Sequence, residues 1–176
     1  MNRPGSQSRA GFIARFGGVF EHSSWIAERA LDRGLPPDCG SATQLHDALC
    51  AIFRAASRDE RLGVLRAHPD LAGRLALAGD LTGDSTREQA SAGLDRLTPE
   101  ELARFTGLND AYQQKFGFPF IMAVRGRSKD EILAAFSARV DNDADTEFAT
   151  ACGQVERIAR LRLDDLVPQQ TGEQTP

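Results

Sequence analysis

Apolar residues recur along this chain at spacings of three and four positions, which is the repeat of an amphipathic α-helix. The clearest stripe follows Thr98 and consists of Leu102, Phe105, Leu108, Tyr112 and Phe116. Runs in which apolar and polar residues alternate, the pattern of a half-buried strand, are hard to find. The pattern therefore predicts an all-α protein, a compact irregular bundle of about eight or nine helices.

Five segments carry Ser or Thr followed three residues later by Glu or Gln, a pattern typical of a helix start. The hydroxyl and the carboxylate or amide then pair with backbone amides that lack a partner inside the helix. The five segments begin at Ser41, Ser57, Ser85, Thr98 and Ser128. Together with the periodicity they predict helices, with ends placed to within about 2–4 residues, at 8–17, 23–33, 42–56, 58–67, 70–77, 86–95, 99–116, 129–140 and 143–167.

The composition is that of an ordinary globular protein. The chain has 176 residues, of which 41% are hydrophobic and 26% are charged, and its net charge is −4. A chain of this length can bury enough surface to fold without disulfides or a structural metal. One domain is predicted over residues 8–167, and the polar tails at 1–7 and 168–176 are predicted to be disordered. The small negative charge gives no reason to expect nucleic acid or a membrane as a partner.

Three widely spaced cysteines, Cys39, Cys50 and Cys152, form no CxxC pair. They indicate free thiols in a reducing compartment. The amino-terminal segment lacks the apolar core of a signal peptide, no apolar run of membrane-spanning length is present, and the chain does not end in a peroxisomal signal. A cytoplasmic location is therefore expected.

His68 is one of three histidines and is followed directly by Pro69. Histidine is the side chain best suited to moving protons at neutral pH, because its ordinary pKa lies close to neutrality. A histidine that merely ends a helix before a proline would look the same in the sequence. The residue alone leaves both interpretations open.

Arg162 breaks the pattern of the last predicted helix. At about 100° per residue it lies inside the apolar arc, between Val155 and Ile158. A guanidinium on a buried face needs an anion, because an unpaired buried charge is very costly. The favoured interpretation is a structural ion pair or a side chain whose stem lets the guanidinium reach solvent. The alternative is an arginine that faces a cavity and binds a carboxylate substrate.

The segment from Ser85 to Gln89 opens a predicted helix after a glycine-containing loop. Plain helix capping is the favoured interpretation. A helix start also presents free amides and the positive end of its dipole, which suits an anion. Glu88 in that first turn would be able to handle protons as well as cap the helix.

The segment that follows the helix after Thr98 is apolar but non-helical, because Gly117 and Pro119 interrupt it. A buried connecting segment is the favoured interpretation. Buried non-helical backbone carries amides and carbonyls that must be paired. A small polar ligand rich in amide groups would be able to pair them.

Motifs of other enzyme classes are missing from the sequence. The histidines have no metal-ligand spacing, and HExxH and DxDxDG do not occur. GxGxxG, the Walker loop and GxSxG are absent as well, which argues against nucleotide binding and serine hydrolase chemistry. No metal site is expected.

Four segments in combination resemble one family: HPDLAGR, STREQASAGL, LNDAYQQKFGFPFIMAVRG and RIARLRLDDLV. The family is 2-oxo-4-hydroxy-4-carboxy-5-ureidoimidazoline (OHCU) decarboxylase of urate degradation, and the resemblance runs over residues 11–167. It implies an all-α homodimer that converts this small-molecule substrate to (S)-allantoin and CO2 without a cofactor. It also implies a functional link to urate oxidase and hydroxyisourate hydrolase.

The resemblance further implies roles for individual residues. His68 matches the catalytic histidine and Glu88 its acidic, likewise catalytic, partner. The positions that match substrate contacts are Pro69, Ser85, Thr86, Arg87, Glu88, Gln89, Phe120, Ile121, Met122, Ala123, Val124 and Arg162. Two alternatives stay open: a non-catalytic helical binding protein in which these residues form a structural polar cluster, and a decarboxylase or isomerase of a related ureido acid.

Overall fold

The computed structural model describes residues 8–167, apart from the side chain of Leu75. Within this range the chain forms nine α-helices and no strand, which confirms the predicted all-α class. The helices are α1 Arg9–Phe16, α2 Trp25–Asp32, α3 Ala42–Ala55, α4 Arg58–Ala67, α5 Arg74–Ala78, α6 Gly83–Ser91, α7 Pro99–Phe116, α8 Lys129–Arg139 and α9 Ala144–Leu166. The two tails predicted to be disordered lie outside the described residues.

Seven of these helices begin and end within two residues of their predicted bounds. The start of α7 shows why the capping pattern succeeds. The Thr98 hydroxyl accepts a hydrogen bond from the Glu101 amide at 3.2 Å, and the Glu101 carboxylate accepts one from the Thr98 amide at 2.9 Å. The same reciprocal arrangement joins Ser128 and Glu131 at the start of α8.

The predicted helix at 70–77 begins later than expected, because α5 starts at Arg74. Residues 70–73 form a turn in which Ala72 has a positive φ of 51°. A residue in this left-handed conformation cannot continue a right-handed helix. The turn therefore separates His68 from α5 instead of extending the helix towards it.

The predicted start of α6 at residue 86 is also wrong, since the helix spans Gly83–Ser91. Thr82 is its N-cap, and the Thr82 hydroxyl accepts a hydrogen bond from the Ser85 amide at 3.3 Å. Ser85 is thus not the capping residue but a buried residue inside the helix. Residues 87–89 consequently lie beyond the first turn of α6.

The chain divides into two compact units. The first comprises the described residues 8–57 and 156–167. Its core contains two aromatic pairs, Phe12 with Phe16 at 4.8 Å and Phe20 with Phe53 at 5.5 Å between ring centroids. Helix α9 belongs to both units, because the boundary between residues 155 and 156 falls inside it.

The second unit comprises residues 58–155 and is built around Tyr112 of α7. The fully buried Tyr112 ring has the rings of Phe118, Phe120 and Phe136 within 5.8 Å of its centroid. Phe120 and Phe136 stack on each other at 3.9 Å. These contacts fix the non-helical segment after α7 against α7 and α8.

No helix in the described part of the chain combines the length and the apolar character needed to cross a membrane.

Candidate active site

His68 lies just beyond the end of α4 and is buried. Its backbone amide donates to the Leu65 carbonyl at 3.2 Å, which leaves the Val64 carbonyl to the imidazole. The ring atom Nδ1 lies 2.9 Å from this carbonyl oxygen. Because a carbonyl can only accept, Nδ1 carries the proton, and Nε2 is the nitrogen at which a further proton is gained or lost.

The turn that follows His68 is hydrogen-bonded to α6. The side chain of Gln89 accepts from the Ala72 amide at 2.9 Å and donates to the Asp70 carbonyl at 3.2 Å. Gln89 is buried and directly follows Glu88 in α6. The structure therefore brings together two of the segments in which the sequence predicted site residues.

The predicted residues in these two segments differ in exposure. Ser85 and Gln89 are buried on one face of α6, and Glu88 is half-buried. Thr86 and Arg87 are exposed. The interior of the second unit is therefore nearer to Ser85, Glu88 and Gln89 than to the two exposed residues of α6.

Asn109 of α7 also holds the turn, although the sequence did not predict it as a site residue. Its Nδ2 donates to the Leu71 carbonyl at 2.9 Å, and the side chain is buried. Phe105 and Tyr112, spaced four and three residues away, are buried on the same face of α7. This helical spacing is the signal that would have identified Asn109.

The segment 120–124 is buried except for Met122, which is half-buried. Its backbone is paired in part by the protein itself. The Ile121 carbonyl accepts from Arg139 Nη1 at 2.8 Å, and the Ala123 amide donates to the Gln154 side chain at 3.0 Å. The Val124 carbonyl accepts from the backbone of residue 127 at 3.0 Å. The Ala123 amide is therefore occupied, whereas the carbonyl oxygens of Ile121 and Val124 each have a second lone pair with which to accept from a ligand.

A buried charged network holds this segment in place. Glu147 is fully buried and accepts from Arg139 Nε at 2.9 Å and Nη2 at 2.5 Å. The same carboxylate accepts from the side-chain amide of Asn142 at 2.9 Å and from the Tyr112 hydroxyl. Burial, followed by the hydrogen bond to Glu147, raises the pKa of Tyr112, so its hydroxyl stays protonated. The sequence patterns did not predict this network.

Arg162 is buried in the first unit, as the helical wheel predicted. Its Nη1 lies 2.7 Å from Glu21 Oε2, and both side chains are at most 3% exposed. The structure thus shows an ion pair, as the favoured interpretation expected, with Glu21 as the partner. Contact of Arg162 with a substrate stays a prediction.

A cysteine and a histidine meet in the first unit, where Cys50 Sγ lies 3.3 Å from His46 Nε2. Burial, followed by the charge of Glu156, raises the pKa of the Cys50 thiol to about 12. A thiol that stays protonated at neutral pH is a poor nucleophile, so this pair lacks the activated thiolate of a cysteine enzyme. Nowhere in residues 8–167 do three His, Cys, Asp or Glu side chains form a group suited to a metal ion.

The second unit thus contains the His68 imidazole, whose tautomer is fixed, and the Glu88 carboxylate of α6. An imidazole and a carboxylate are groups that general acid–base enzymes use. A sequence model of the OHCU decarboxylase family matches residues 5–164. The chain belongs to the OHCU decarboxylase family.

Individual relatives agree with this assignment. A 2-oxo-4-hydroxy-4-carboxy-5-ureidoimidazoline decarboxylase of Haloferax volcanii is 45% identical over 152 residues, which are 86% of each chain. The uric acid degradation bifunctional protein of Bacillus subtilis is 42% identical over 86% of this chain but only 29% of its own length. The crystal structure of an (S)-allantoin synthase superposes with a TM-score of 0.72 at 35% identity, covering 91% of this chain and 51% of that one.

Proposed function

We propose that this chain decarboxylates 2-oxo-4-hydroxy-4-carboxy-5-ureidoimidazoline to (S)-allantoin and CO2, without a cofactor, as a step of urate degradation. The observation that carries the proposal is the family match over residues 5–164. The 45% identity to the Haloferax volcanii decarboxylase over 86% of both chains supports the same reaction. The hydrogen bonds around His68 give a chemical argument for the same reaction.

The reaction places three demands on the protein. The bond between the carboxylate and the ring carbon breaks, and its electron pair passes into the adjacent ring system. The hydroxyl on that carbon loses its proton as a carbonyl forms, and a proton is added to one face of the ring to give a single enantiomer. The protein must therefore bind the carboxylate, stabilise the developing anion and move a proton.

His68 is proposed as the general acid–base group that acts on the hydroxyl and carboxylate of the substrate. Its bond to the Val64 carbonyl supports this role, because it orients the ring and assigns proton exchange to Nε2. Glu88 is proposed to set the orientation and charge of His68 and to take part in the stereospecific protonation. The hydrogen bonds of its neighbour Gln89 to the turn after His68 support a joint role for the two segments.

Substrate binding is assigned to Pro69, to residues 85–89, to residues 120–124 and to Arg162. For 120–124 the support is a buried backbone whose position is fixed by Arg139 and Gln154. Polar groups held in this way need no reorganisation as charge develops on the substrate. For Arg162 the support is the family resemblance. Its guanidinium is paired with Glu21, and its forked donors suit an anionic or carbonyl oxygen as a further partner.

The test generates the substrate in place from urate with urate oxidase and hydroxyisourate hydrolase and follows circular dichroism after the protein is added. We expect a fast change that ends in the signal of one allantoin enantiomer. His68→Asn should abolish the change while the far-ultraviolet spectrum stays native. His22→Asn is the matched control, because His22 is exposed and has a positive φ of 48°, which asparagine tolerates.

If the circular dichroism time course with the wild-type protein matches that of the uncatalysed reaction, the proposal is wrong and the helical binding protein is favoured. Turnover of a related ureido acid in place of this substrate would favour the third interpretation. A His68→Asn protein with near-normal rate would remove His68 from the mechanism while leaving the reaction in place.

A homodimer and a cytoplasmic location also form part of the proposal. The dimer rests on the family resemblance, and sedimentation equilibrium should find twice the mass of one chain. The location is supported by three cysteines that are all free thiols. Urate oxidase and hydroxyisourate hydrolase are proposed as functional partners, because their reactions supply the substrate.

A further inference from the structure

The turn after His68 is held through three successive residues by two side-chain amides. Gln89 binds the Asp70 carbonyl and the Ala72 amide, and Asn109 binds the Leu71 carbonyl. Ala72 has a positive φ of 51°, a conformation that alanine rarely adopts. Such a conformation persists only where the surroundings enforce it, and the two amides supply that constraint.

Asn109 occupies an unfavourable position for a polar side chain. It is 6% exposed and lies between Phe105 and Tyr112 on the buried face of α7. Among the described residues, its Oδ1 has no hydrogen-bond partner. Buried polar atoms are nearly always paired in native proteins, and an apolar side chain of similar size would leave no such oxygen. The one contact that only an amide makes here is the bond from Nδ2 to Leu71.

We propose that Asn109 is a positioning residue for the reaction, which keeps the turn at residues 70–72 in place and thereby sets His68 relative to α6. Pro69 transmits the constraint, because its ring fixes φ between His68 and the turn. Asn109 acts through His68 and does not touch the substrate. This inference rests on the proposed role of His68.

The first test compares Asn109→Leu with the wild-type protein. The variant removes the unpaired oxygen and the bond to Leu71 together, so their effects on stability oppose each other and the melting temperature should change little. Because the imidazole is displaced, kcat should fall about tenfold or more while KM stays within about threefold. Phe105→Leu is the control on the same face of α7. It should lower the melting temperature through lost packing and leave kcat unchanged.

A second measurement does not depend on activity. In nuclear magnetic resonance spectra, Asn109→Leu should shift the imidazole signals of His68 and change its tautomer ratio. The signals of His22 and His46 should stay where they are. If the wild-type protein fails to decarboxylate the substrate, the proposed function is lost, and these spectra still decide whether Asn109 positions His68.

Two results would overturn the inference. Asn109→Leu with a lower melting temperature, unchanged kcat and unchanged His68 signals would make Asn109 a purely structural residue. A raised KM with unchanged kcat and unchanged His68 signals would indicate a role in binding and not in positioning His68.

Discussion

Asp70 shows how the surroundings of a single residue couple folding to pH. Burial raises the pKa of its carboxyl group, the charge of Asp110 raises it further, and Arg74 opposes part of the shift. The folded protein therefore binds this proton more tightly than the unfolded chain. The stabilisation from Asp70 is present below its unfolded pKa and is lost as the pH rises through the raised folded pKa.

Replacing Asp70 with Asn should consequently raise the free energy of unfolding at pH 7, where the wild-type carboxylate is charged and half-buried. Near pH 3 both side chains are neutral, so the gain should disappear. Urea denaturation at the two pH values measures the difference, and Asp80→Asn at an exposed position is the control. An equal gain at both pH values would show that the carboxylate charge is not the cause.

The sequence predicts burial well for apolar residues in a periodic stripe. It predicts burial poorly for a polar residue that lies on the same buried face. Arg162 was found because a charge interrupts a long apolar arc. Asn109 was not predicted, although Phe105 and Tyr112 mark the same face of α7. Burying an uncharged amide costs less than burying a charge, so its signal in the pattern is weaker. A helical wheel also cannot name a partner, so Glu21 as the partner of Arg162 depended on the fold.

At the scale of helices, packing in the core determines the helix start where the sequence pattern allows more than one. The pattern at Ser85 predicts a helix start, but Thr82 offers a second hydroxyl three residues earlier, and the fold uses that one. Local sequence gives both residues similar capping ability. Ser85 is buried, so tertiary packing and not the pattern sets where α6 begins.

The pair Arg139 and Glu147 joins α8, α9 and the segment at 120–124, and it should behave as a unit. Arg139→Met leaves a fully buried carboxylate without its cation and should cost about 3–5 kcal/mol of the free energy of unfolding. The double variant Arg139→Met with Glu147→Leu should recover part of this loss, because no buried charge remains.

Urea denaturation of the wild-type, the two single variants and the double variant measures the coupling between the two side chains. Losses that simply add would show that Arg139 and Glu147 stabilise the fold independently. Arg139→Lys is the control for charge alone, since lysine keeps the cation but not the fork that binds Glu147 and the Ile121 carbonyl together.

At the scale of the whole molecule, α9 is the element that belongs to both units. Its residues up to 155 lie in the second unit, and those from 156 onwards lie in the first. Helix formation is cooperative along a continuous segment, so loss of one half weakens the other. We therefore expect the two units to unfold in one transition.

Two glycine substitutions test this expectation. Gly107 in α7 and Gly153 in α9 are exposed, and a Cβ atom would meet nothing within 4 Å at either site. Alanine should add about 0.5–1 kcal/mol in each helix, which corresponds to roughly 2–4 °C per kcal/mol in the melting temperature. Trp25, the only tryptophan, lies in the first unit and reports on that unit by its fluorescence.

The decisive comparison is Gly107→Ala, because Gly107 lies in the second unit while Trp25 lies in the first. If the units unfold together, the Trp25 fluorescence midpoint should rise as much as the midpoint from far-ultraviolet circular dichroism. Gly153→Ala should give the same agreement between the two probes. A fluorescence midpoint that Gly107→Ala leaves unchanged, with a rise seen only by circular dichroism, would mean that the units unfold separately despite the shared helix.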